Sequence, residues 1–180
     1  KDVKIQKVSG QDHYNDVPSS NVMIYDQLNY RHWDSYEDGA YSHLFIQSTS
    51  DKSNKGIDLM KGEPFDCPQK PFGGSEDYIW SPDSKKVLYV TKKLSGTEYA
   101  LSTNTDIYEY NLDTKKTTNL TKDNKGYDTS PAFSPTGKLA WLRMKRDGYE
   151  SDKNDIVVKL PEGEVNLTKD WDGTVYGFIW

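Results

Sequence analysis

The sequence has little of what builds helices. Alanine occurs four times and glutamate eight times in 180 residues, against twenty aspartates and ten asparagines. Alanine and glutamate favour helices, whereas aspartate, asparagine, glycine and proline favour turns. The 13 tyrosines and five tryptophans favour strands and supply rings for a buried core. This composition predicts an all-β protein with many short connections.

Other shortages exclude whole classes of protein. The single cysteine, Cys67, excludes an internal disulfide framework and a cysteine-based zinc site. No apolar run approaches the ~18 residues of a membrane-spanning helix, so we expect no membrane partner. Three histidines without a His-Glu-x-x-His spacing predict no catalytic metal and no cofactor. A net charge of −5 argues against a nucleic-acid partner, since no basic face can neutralise phosphates.

Two segments of the chain repeat. Residues 78–83 (YIWSPD) correspond to 132–137 (AFSPTG), and residues 119–122 (NLTK) recur 47 positions later at 166–169. Each unit predicts four strands: one that ends in a Ser-Pro turn, a second, a third after a longer polar loop, and a fourth after a hairpin. The strands predicted after the Ser-Pro turns are 87–91, 107–111 and 117–120, then 139–144, 156–159 and 165–167. Four-stranded units of this size are typical of β-propeller blades.

We therefore predict a partial β-propeller of about three four-stranded antiparallel blades. Residues 1–20 are an N-terminal extension or edge strand, 21–72 an incomplete first blade, 73–127 and 128–174 the second and third blades, and 175–180 the first strand of a truncated further blade. In the incomplete blade the predicted strands are 21–25, 43–48 and 56–60. Closed propellers typically need about four to eight blades, so we interpret the chain as a fragment. Its open blade edges predict association into a homo-oligomer.

Two further stretches carry a resemblance to a known family. They are Tyr30-Arg31-His32-Trp33-Asp34 with Glu37-Asp38-Gly39, and Arg146-Asp147-Gly148-Tyr149-Glu150-Ser151-Asp152. With the Ser-Pro turns, they resemble the N-terminal propeller region of prolyl oligopeptidase-family serine peptidases. The likeness is to bacterial dipeptidyl aminopeptidases, in the dipeptidyl-peptidase V and acylaminoacyl-peptidase branch, with WD-like repeats of TolB type. The resemblance implies a propeller that restricts access and helps hold peptide N-termini, stacked on an α/β-hydrolase domain that carries a Ser, Asp, His triad.

The sequence departs from that family in its catalytic signature. It has no Gly-x-Ser-x-Gly motif, and residues 73–77 (GGSED) lack the last glycine. We therefore predict no catalytic residue and no enzyme activity for this chain, as part of a parent serine exopeptidase. The implied partners are peptide substrates and the parent's C-terminal α/β-hydrolase domain. The expected location is the periplasm or outside the cell, with the cytoplasm as the alternative. The competing function is a TolB-like propeller that acts as a binding module without peptidase activity.

Glu150 is the first candidate for substrate binding. An enzyme that releases dipeptides must recognise a free α-ammonium group, and a carboxylate does so through a charge-assisted hydrogen bond. We predict that Glu150 is this anchor and that Arg146 or Asp152 fixes its orientation. The alternative is a solvated acidic loop whose aspartates and glycine serve turn geometry.

Arg31 and Trp33 are the second candidate, as a pocket-lining loop. Arg31 would contact peptide carbonyls and Trp33 would form an apolar wall. The alternative is an internal arrangement in which Asp34 pairs with Arg31 or His32 and Trp33 is buried between blades, since tryptophan rarely stays exposed without a partner.

Two other features receive structural interpretations. Both Asn-Leu-Thr segments match a glycosylation sequon, but they occupy equivalent places in two repeats, so we interpret them as strand-ending elements. His43 lies in a predicted strand and is interpreted as a packed core or interblade residue.

Overall fold

The computed structural model describes residues 6–9, 21–25, 28, 30–50 and 55–180, and strands dominate them. The strands are β1 (Gln6–Ser9), β2 (Asn21–Ile24), β3 (Arg31–His32), β4 (Ser35–Tyr36), β5 (Phe45–Ile46), β6 (Ile57–Asp58), β7 (Tyr78–Trp80), β8 (Lys86–Thr91), β9 (Asp106–Asn111), β10 (Lys116–Asn119), β11 (Asp128–Phe133), β12 (Leu139–Arg143), β13 (Asp155–Leu160) and β14 (Gly163–Asn166). Helical structure in this part of the chain is limited to a 3₁₀ turn, Ser75–Asp77, and helix α1, Gly96–Leu101. No described helix has the length and apolarity to cross a bilayer. The predicted β class is confirmed.

Two four-stranded antiparallel sheets follow one another along the chain. The first sheet has the order β7-β8-β9-β10 and the second has the order β11-β12-β13-β14. Each strand pairs with its neighbour in sequence because short turns and loops return the chain beside itself. The ends of the predicted strands after each Ser-Pro turn lie within two residues of the observed ends. Helix α1 was not predicted, because it is six residues long and buries no residue that would create an apolar period.

Serine side chains close the turn between the first two strands of each sheet. Ser81 Oγ accepts a hydrogen bond from the Lys86 backbone N–H at 2.9 Å, and Ser134 Oγ accepts one from Lys138 at the same distance. The serine N–H groups donate to the carbonyls of those two lysines at 2.9 and 2.8 Å. The Ser-Pro repeat is therefore a structural element of the turn.

A second repeated element joins the third and fourth strands of the first sheet. Thr121 Oγ1 donates to Asp106 Oδ1 at 3.0 Å and accepts the Ile107 backbone N–H at 3.0 Å. Asn119 Oδ1 accepts the Thr121 N–H at 2.9 Å, and its amide nitrogen donates to Tyr108 Oη at 3.3 Å. We call this arrangement the Asn-Leu-Thr clip.

The second sheet has the same clip. Thr168 Oγ1 donates to Asp155 Oδ1 at 2.7 Å and accepts the Ile156 N–H at 3.0 Å. Asn166 Nδ2 donates to Asp155 Oδ2 at 2.8 Å. Because both asparagine side chains hold strands together, the interpretation of these segments as strand-ending elements is confirmed.

The first sheet is buried on both faces. Side chains alternate along β8, so Val87 and Tyr89 point to one face and Leu88 and Val90 to the other. The first pair belongs to a buried cluster that reaches back to the first third of the chain: Leu59, Met60, Cys67, Val87, Tyr89, Tyr108 and Tyr110. The second pair belongs to a cluster shared with the second sheet: Leu88, Val90, Ile107, Leu139, Trp141 and Val157. Aromatic rings from both sheets thus contribute to a core in which aliphatic side chains are in the majority.

The first third of the chain differs from the prediction of one incomplete sheet. Strand β2 pairs with β1, β3 pairs with β4 in a short hairpin, and β5 pairs with β6. No pairing joins these three pairs within the described residues. Of the predicted extension 1–20, the structure describes only β1, and residues 1–5 and 10–20 lie outside the described part. Strands of two to four residues carry too short an alternating pattern to reveal their partners.

The segment 175–180 contains no strand. It still begins with a contact that repeats an earlier one: Val175 N donates to the Asn154 carbonyl at 2.9 Å, as Asp128 N donates to the Thr105 carbonyl at 3.1 Å where β11 begins. Trp180 Nε1 then donates to the carbonyl of Ala132, in the second sheet, at 3.3 Å. The segment therefore lies against the second sheet without pairing as a strand.

Candidate functional site

Two loops lie side by side at one end of the sheets. Residues 144–154 connect β12 to β13, and residues 92–105 connect β8 to β9. Both are therefore the connection between the second and third strands of a sheet, and hydrogen bonds join them directly. The first contains Glu150 and the second contains α1. Together they form the surface around the first predicted substrate-binding residue.

An ion pair closes the Glu150 loop at its base. Asp152 Oδ1 accepts from Arg146 Nε at 3.0 Å and from Nη2 at 2.8 Å, while Asp152 Oδ2 accepts the Arg146 backbone N–H at 2.8 Å. These bonds, with that of the guanidinium foremost, lower the pKa of Asp152 to about 2. The Arg146 guanidinium also lies 4.0 Å from the centre of the Tyr149 ring. Neither Arg146 nor Asp152 hydrogen-bonds with Glu150, so they shape the loop rather than hold the carboxylate itself.

Asp147 and Gly148 connect this loop to its neighbour. Asp147 Oδ1 accepts from Ser102 Oγ at 2.5 Å and from the Thr103 N–H at 2.9 Å. The Gly148 N–H donates to Thr103 Oγ1 at 3.0 Å. The Ser102 hydroxyl is the main cause of a lowered pKa for Asp147. Two loops from different sheets are thereby joined.

Lys92 organises the second loop from inside. Its ammonium group donates to the carbonyl oxygens of Tyr99, at 2.6 Å, and of Ser102, which lie at the C-terminal end of α1, where carbonyls have no partner within the helix. Burial lowers the pKa of Lys92, and the nearby carboxylates of Asp147 and Glu150 oppose this change. The lysine therefore holds the end of α1 by hydrogen bonds and interacts with the acidic loop through charge.

Glu150 is exposed, and no described residue hydrogen-bonds with its carboxylate. Its loop has a defined shape because Arg146 and Asp152 hydrogen-bond with each other and Asp147 hydrogen-bonds with the neighbouring loop. A carboxylate in this setting can accept hydrogen bonds from an ammonium group, and the bond strengthens if the ligand excludes water from it.

The structure places Arg31 and Trp33 on the β3–β4 hairpin. Trp33 is 74% exposed and adopts a φ of 48°, and its ring contacts Phe72 at a centroid distance of 5.8 Å. The expectation that Trp33 is buried between blades is wrong, because Trp33 lies exposed in the turn between β3 and β4. Arg31 is also exposed, and no described ion pair links it to Asp34. No hydrogen bond among the described residues joins this hairpin to the Glu150 loop.

Phe72 was missed by the sequence analysis. It is 72% exposed and touches His32 as well as Trp33, at a centroid distance of 5.6 Å from the histidine. Its signal is a lone aromatic residue between Pro71 and Gly73, where an apolar side chain is unexpected.

A buried charged group lies in the second sheet. Asp128 accepts from Trp141 Nε1 at 2.6 Å and from Arg143 Nε at 2.7 Å, and it has no solvent exposure. Burial raises the pKa of Asp128 to about 6, and the Arg143 guanidinium opposes the rise. These partners belong to the interface between the sheets, so the group is structural.

The described histidines have other partners than a serine. His43 Nδ1 lies 2.9 Å from Asp58 Oδ2 and its Nε2 lies 2.9 Å from the Glu63 carbonyl, while His32 packs between Trp33 and Phe72. In the described part of the chain no three His, Cys, Asp or Glu side chains gather as metal ligands would. The described residues thus contain no serine–histidine pair.

An apolar cleft of about 450 Å³ separates the β5–β6 hairpin from β7. Its walls include four exposed apolar side chains: Phe45, Ile57, Tyr78 and Trp80.

Comparison with known proteins relates nearly the whole chain to one group of sequences. It is 43% identical over 178 residues to "Dipeptidyl-peptidase 5" of Porphyromonas gingivalis, covering 96% of this chain and 26% of that protein. It is 42% identical over 153 residues to the protein of the same name from Porphyromonas endodontalis, covering 84% and 22%. Dipeptidyl-peptidase 5 of Schizosaccharomyces pombe is 34% identical over 176 residues, covering 89% and 25%. No protein-family model matches the chain. The chain thus spans about a quarter of the length of the curated relatives that it matches.

Proposed function

We propose that this chain is a non-catalytic β-propeller portion of a dipeptidyl peptidase of the prolyl oligopeptidase type. In this proposal it restricts access to the active site and helps to bind peptide N-termini for an α/β-hydrolase domain elsewhere in the same polypeptide. The observation that carries the proposal is the 43% identity, along 96% of the chain, to a dipeptidyl-peptidase 5.

Recurring backbone contacts support the propeller assignment. Leu59 N donates to the Leu44 carbonyl at 3.0 Å, Leu120 N to the Ile107 carbonyl at 2.8 Å, and Leu167 N to the Ile156 carbonyl at 2.9 Å. The same junction therefore occurs three times along the chain, and two of these occurrences lie in sheets that pack face to face. Repeated sheets in face-to-face contact are the building principle of a propeller.

Glu150 is the proposed anchor for the α-ammonium group of the peptide. A hydrogen bond to a charged group contributes about 1.5–3 kcal/mol. The Arg146–Asp152 pair and the Asp147 contacts fix the loop before a ligand arrives, which reduces the entropy lost on binding. Because no described residue hydrogen-bonds with this carboxylate, a substrate would not have to displace a hydrogen-bond partner, and Lys92 interacts with it through charge alone.

The test uses the full-length protein that contains this chain and compares Glu150→Gln with Glu98→Gln. Both glutamates are exposed, and Glu98 lies on the neighbouring α1, so it is a matched control. With peptide substrates longer than a dipeptide that carry a free N-terminus, Glu150→Gln is expected to raise KM about tenfold, which corresponds to ~1.4 kcal/mol. Glu98→Gln should leave KM unchanged, and N-terminally acylated substrates should not distinguish the variants. An unchanged KM in Glu150→Gln would remove Glu150 from the site.

The proposed partners and location have separate tests. Release of dipeptides by the full-length protein, abolished by a serine-directed phosphonylating reagent, would support the hydrolase partner. Binding of a protein or glycan without any peptide cleavage would favour a propeller binding module instead. Cell fractionation tests the proposed periplasmic or secreted location. Light scattering tests association through open sheet edges.

A further inference from the structure

We propose that Asp147 is the positioning residue of the peptide-binding site and that Ser102 and Thr103, at the end of the first sheet's loop, support that site by holding Asp147 and Gly148. The inference rests on the proposed role of Glu150 and goes one step further, because it names what holds Glu150 in place. Its basis is the junction between two loops that belong to different sheets.

The first step is the pair of bonds that Asp147 makes across the junction. Its Oδ1 accepts from the Ser102 hydroxyl at 2.5 Å and from the Thr103 backbone N–H at 2.9 Å. Both donors lie directly after α1, in the first sheet's loop. One carboxylate oxygen therefore joins the second sheet's loop to two consecutive residues of the first sheet's loop.

The second step concerns the next residue. Gly148 has a φ of +70°, and its N–H donates to Thr103 Oγ1 at 3.0 Å. A Cβ built on Gly148 would lie 3.1 Å from the Leu101 carbonyl oxygen. Only glycine combines this left-handed backbone with so close an approach. The loops therefore meet backbone to backbone, two residues before Glu150.

The third step is the support behind the junction. Lys92 donates to the carbonyl of Ser102 and to that of Tyr99, so the residues that receive Asp147 are themselves held from the inner side. The result is a continuous series of contacts from Lys92 through Ser102 and Asp147 to the loop of Glu150.

This series matters because Glu150 has no hydrogen bond of its own to any described residue. Its position depends on the backbone of its loop, which the Arg146–Asp152 pair closes at one side and Asp147 fixes to the neighbouring sheet. Without the Asp147 carboxylate the loop keeps its closure and the Gly148–Thr103 bond, but it loses the bonds to Ser102 and to the Thr103 N–H. The carboxylate would then reach the ammonium group of a peptide in only a fraction of its orientations.

The experiment measures KM in the full-length protein with paired free and N-terminally acylated substrates. Asp147→Ala is expected to raise KM for the free N-terminus about three- to tenfold, with kcat unchanged, because the anchor is displaced rather than removed. Asp147→Asn keeps the acceptor oxygen and should restore KM to within about twofold. Asp170→Ala, in an exposed loop, is the control. Thermal unfolding monitors the fold of each variant.

Two further variants keep the inference falsifiable. Ser102→Ala removes one donor, so it should raise KM in the same direction as Asp147→Ala, and the double variant should show less than the product of the two effects. If Glu150→Gln raises KM but Asp147→Ala does not, the inference fails and the proposed function stands. If Glu150→Gln has no effect, both fail. Equal losses of activity on free and acylated substrates would also overturn the positioning role.

Discussion

The same backbone junction occurs in the two four-stranded sheets and in the first third of the chain. The side chains at the junction are alike in the two sheets and different in the first third. In each sheet the third and fourth strands meet through an aspartate, an asparagine and a threonine. In the first third the leucine N–H of the junction again donates to a carbonyl across it, from Leu59 to Leu44 at 3.0 Å. What recurs in all three places is the backbone geometry.

The side chains of the first third have exchanged roles. Where the second sheet pairs an acceptor, Asp155, with a donor, Asn166, the first third pairs His43 as donor with Asp58 as acceptor, at 2.9 Å. Asp58 also accepts the Met60 N–H at 2.9 Å, as Asn166 accepts the Thr168 N–H. His43, predicted to be a packed core or interblade residue, thus has a specific partner in Asp58, at the end of β6. A repeat can persist in structure after its residue types have changed.

The largest expected effect separates the core of the sheets from their surface. Trp141 is 1% exposed between the two sheets, and its indole N–H binds Asp128. Trp141→Ala should lower the free energy of unfolding by about 3–5 kcal/mol through the cavity that it leaves. Trp180→Ala removes the same ring from a position that is 49% exposed and should cost less than ~1 kcal/mol. Urea denaturation measures both, and equal costs would contradict the described core.

The next effect concerns the boundary between the first third and the first sheet. Burial raises the pKa of Asp77 to about 6, and its Oδ2 accepts the Gln69 N–H at 2.8 Å. Because this value lies above that of an unfolded aspartate, the neutral carboxyl stabilises the fold below about pH 4, and the contribution is lost as the pH rises through about 6. The free energy of unfolding of Asp77→Asn, taken relative to that of the wild type, should therefore rise by about 2 kcal/mol as the pH increases from 4 to 7.5.

Asp152→Asn is the matched control for this pH dependence. The pKa of Asp152 is lowered to about 2, so its contribution is present above pH 4 and disappears only as the pH falls through about 2. The cost of Asp152→Asn should therefore stay constant between pH 4 and 7.5. A constant difference for Asp77→Asn as well would show that its carboxyl titrates normally in the folded protein.

The smallest expected effect tests whether the His43–Asp58 contact is equivalent to the Asp155–Asn166 contact of the second sheet's clip. His43→Asp places two carboxylates together, and Asp58→Asn replaces the oxygen that faces His43 with an amide NH2 donor, so each should cost about 1–2 kcal/mol. The double variant recreates the Asp155–Asn166 pair and should recover more than half of the summed cost. Some cost should remain because the bond from His43 to the Glu63 carbonyl is lost. Additive costs in a double-mutant cycle would show that the two junctions are not equivalent.

Local pattern predicted the two sheets well and the candidate site less well. Ser81 and Ser134 mark turns that depend on a few adjacent residues, so their strands could be placed. Trp33 was expected between blades by its chemistry, but its position depends on the hairpin that carries it. The exposure of Glu150 could be predicted because the residue lies in a long polar loop. The connection of this loop to the first sheet through Asp147 could not be predicted, because it joins residues more than forty positions apart.

The order of short strands, the Ser-Pro turns and the Asn-Leu-Thr elements follow from the sequence alone, because each rests on side chains that bond to a backbone nearby. The tertiary structure alone decides which faces meet, that β2 pairs with β1, and that the loops of two sheets join at Asp147. Those outcomes depend on contacts between distant segments, whose energies no short pattern of residues contains.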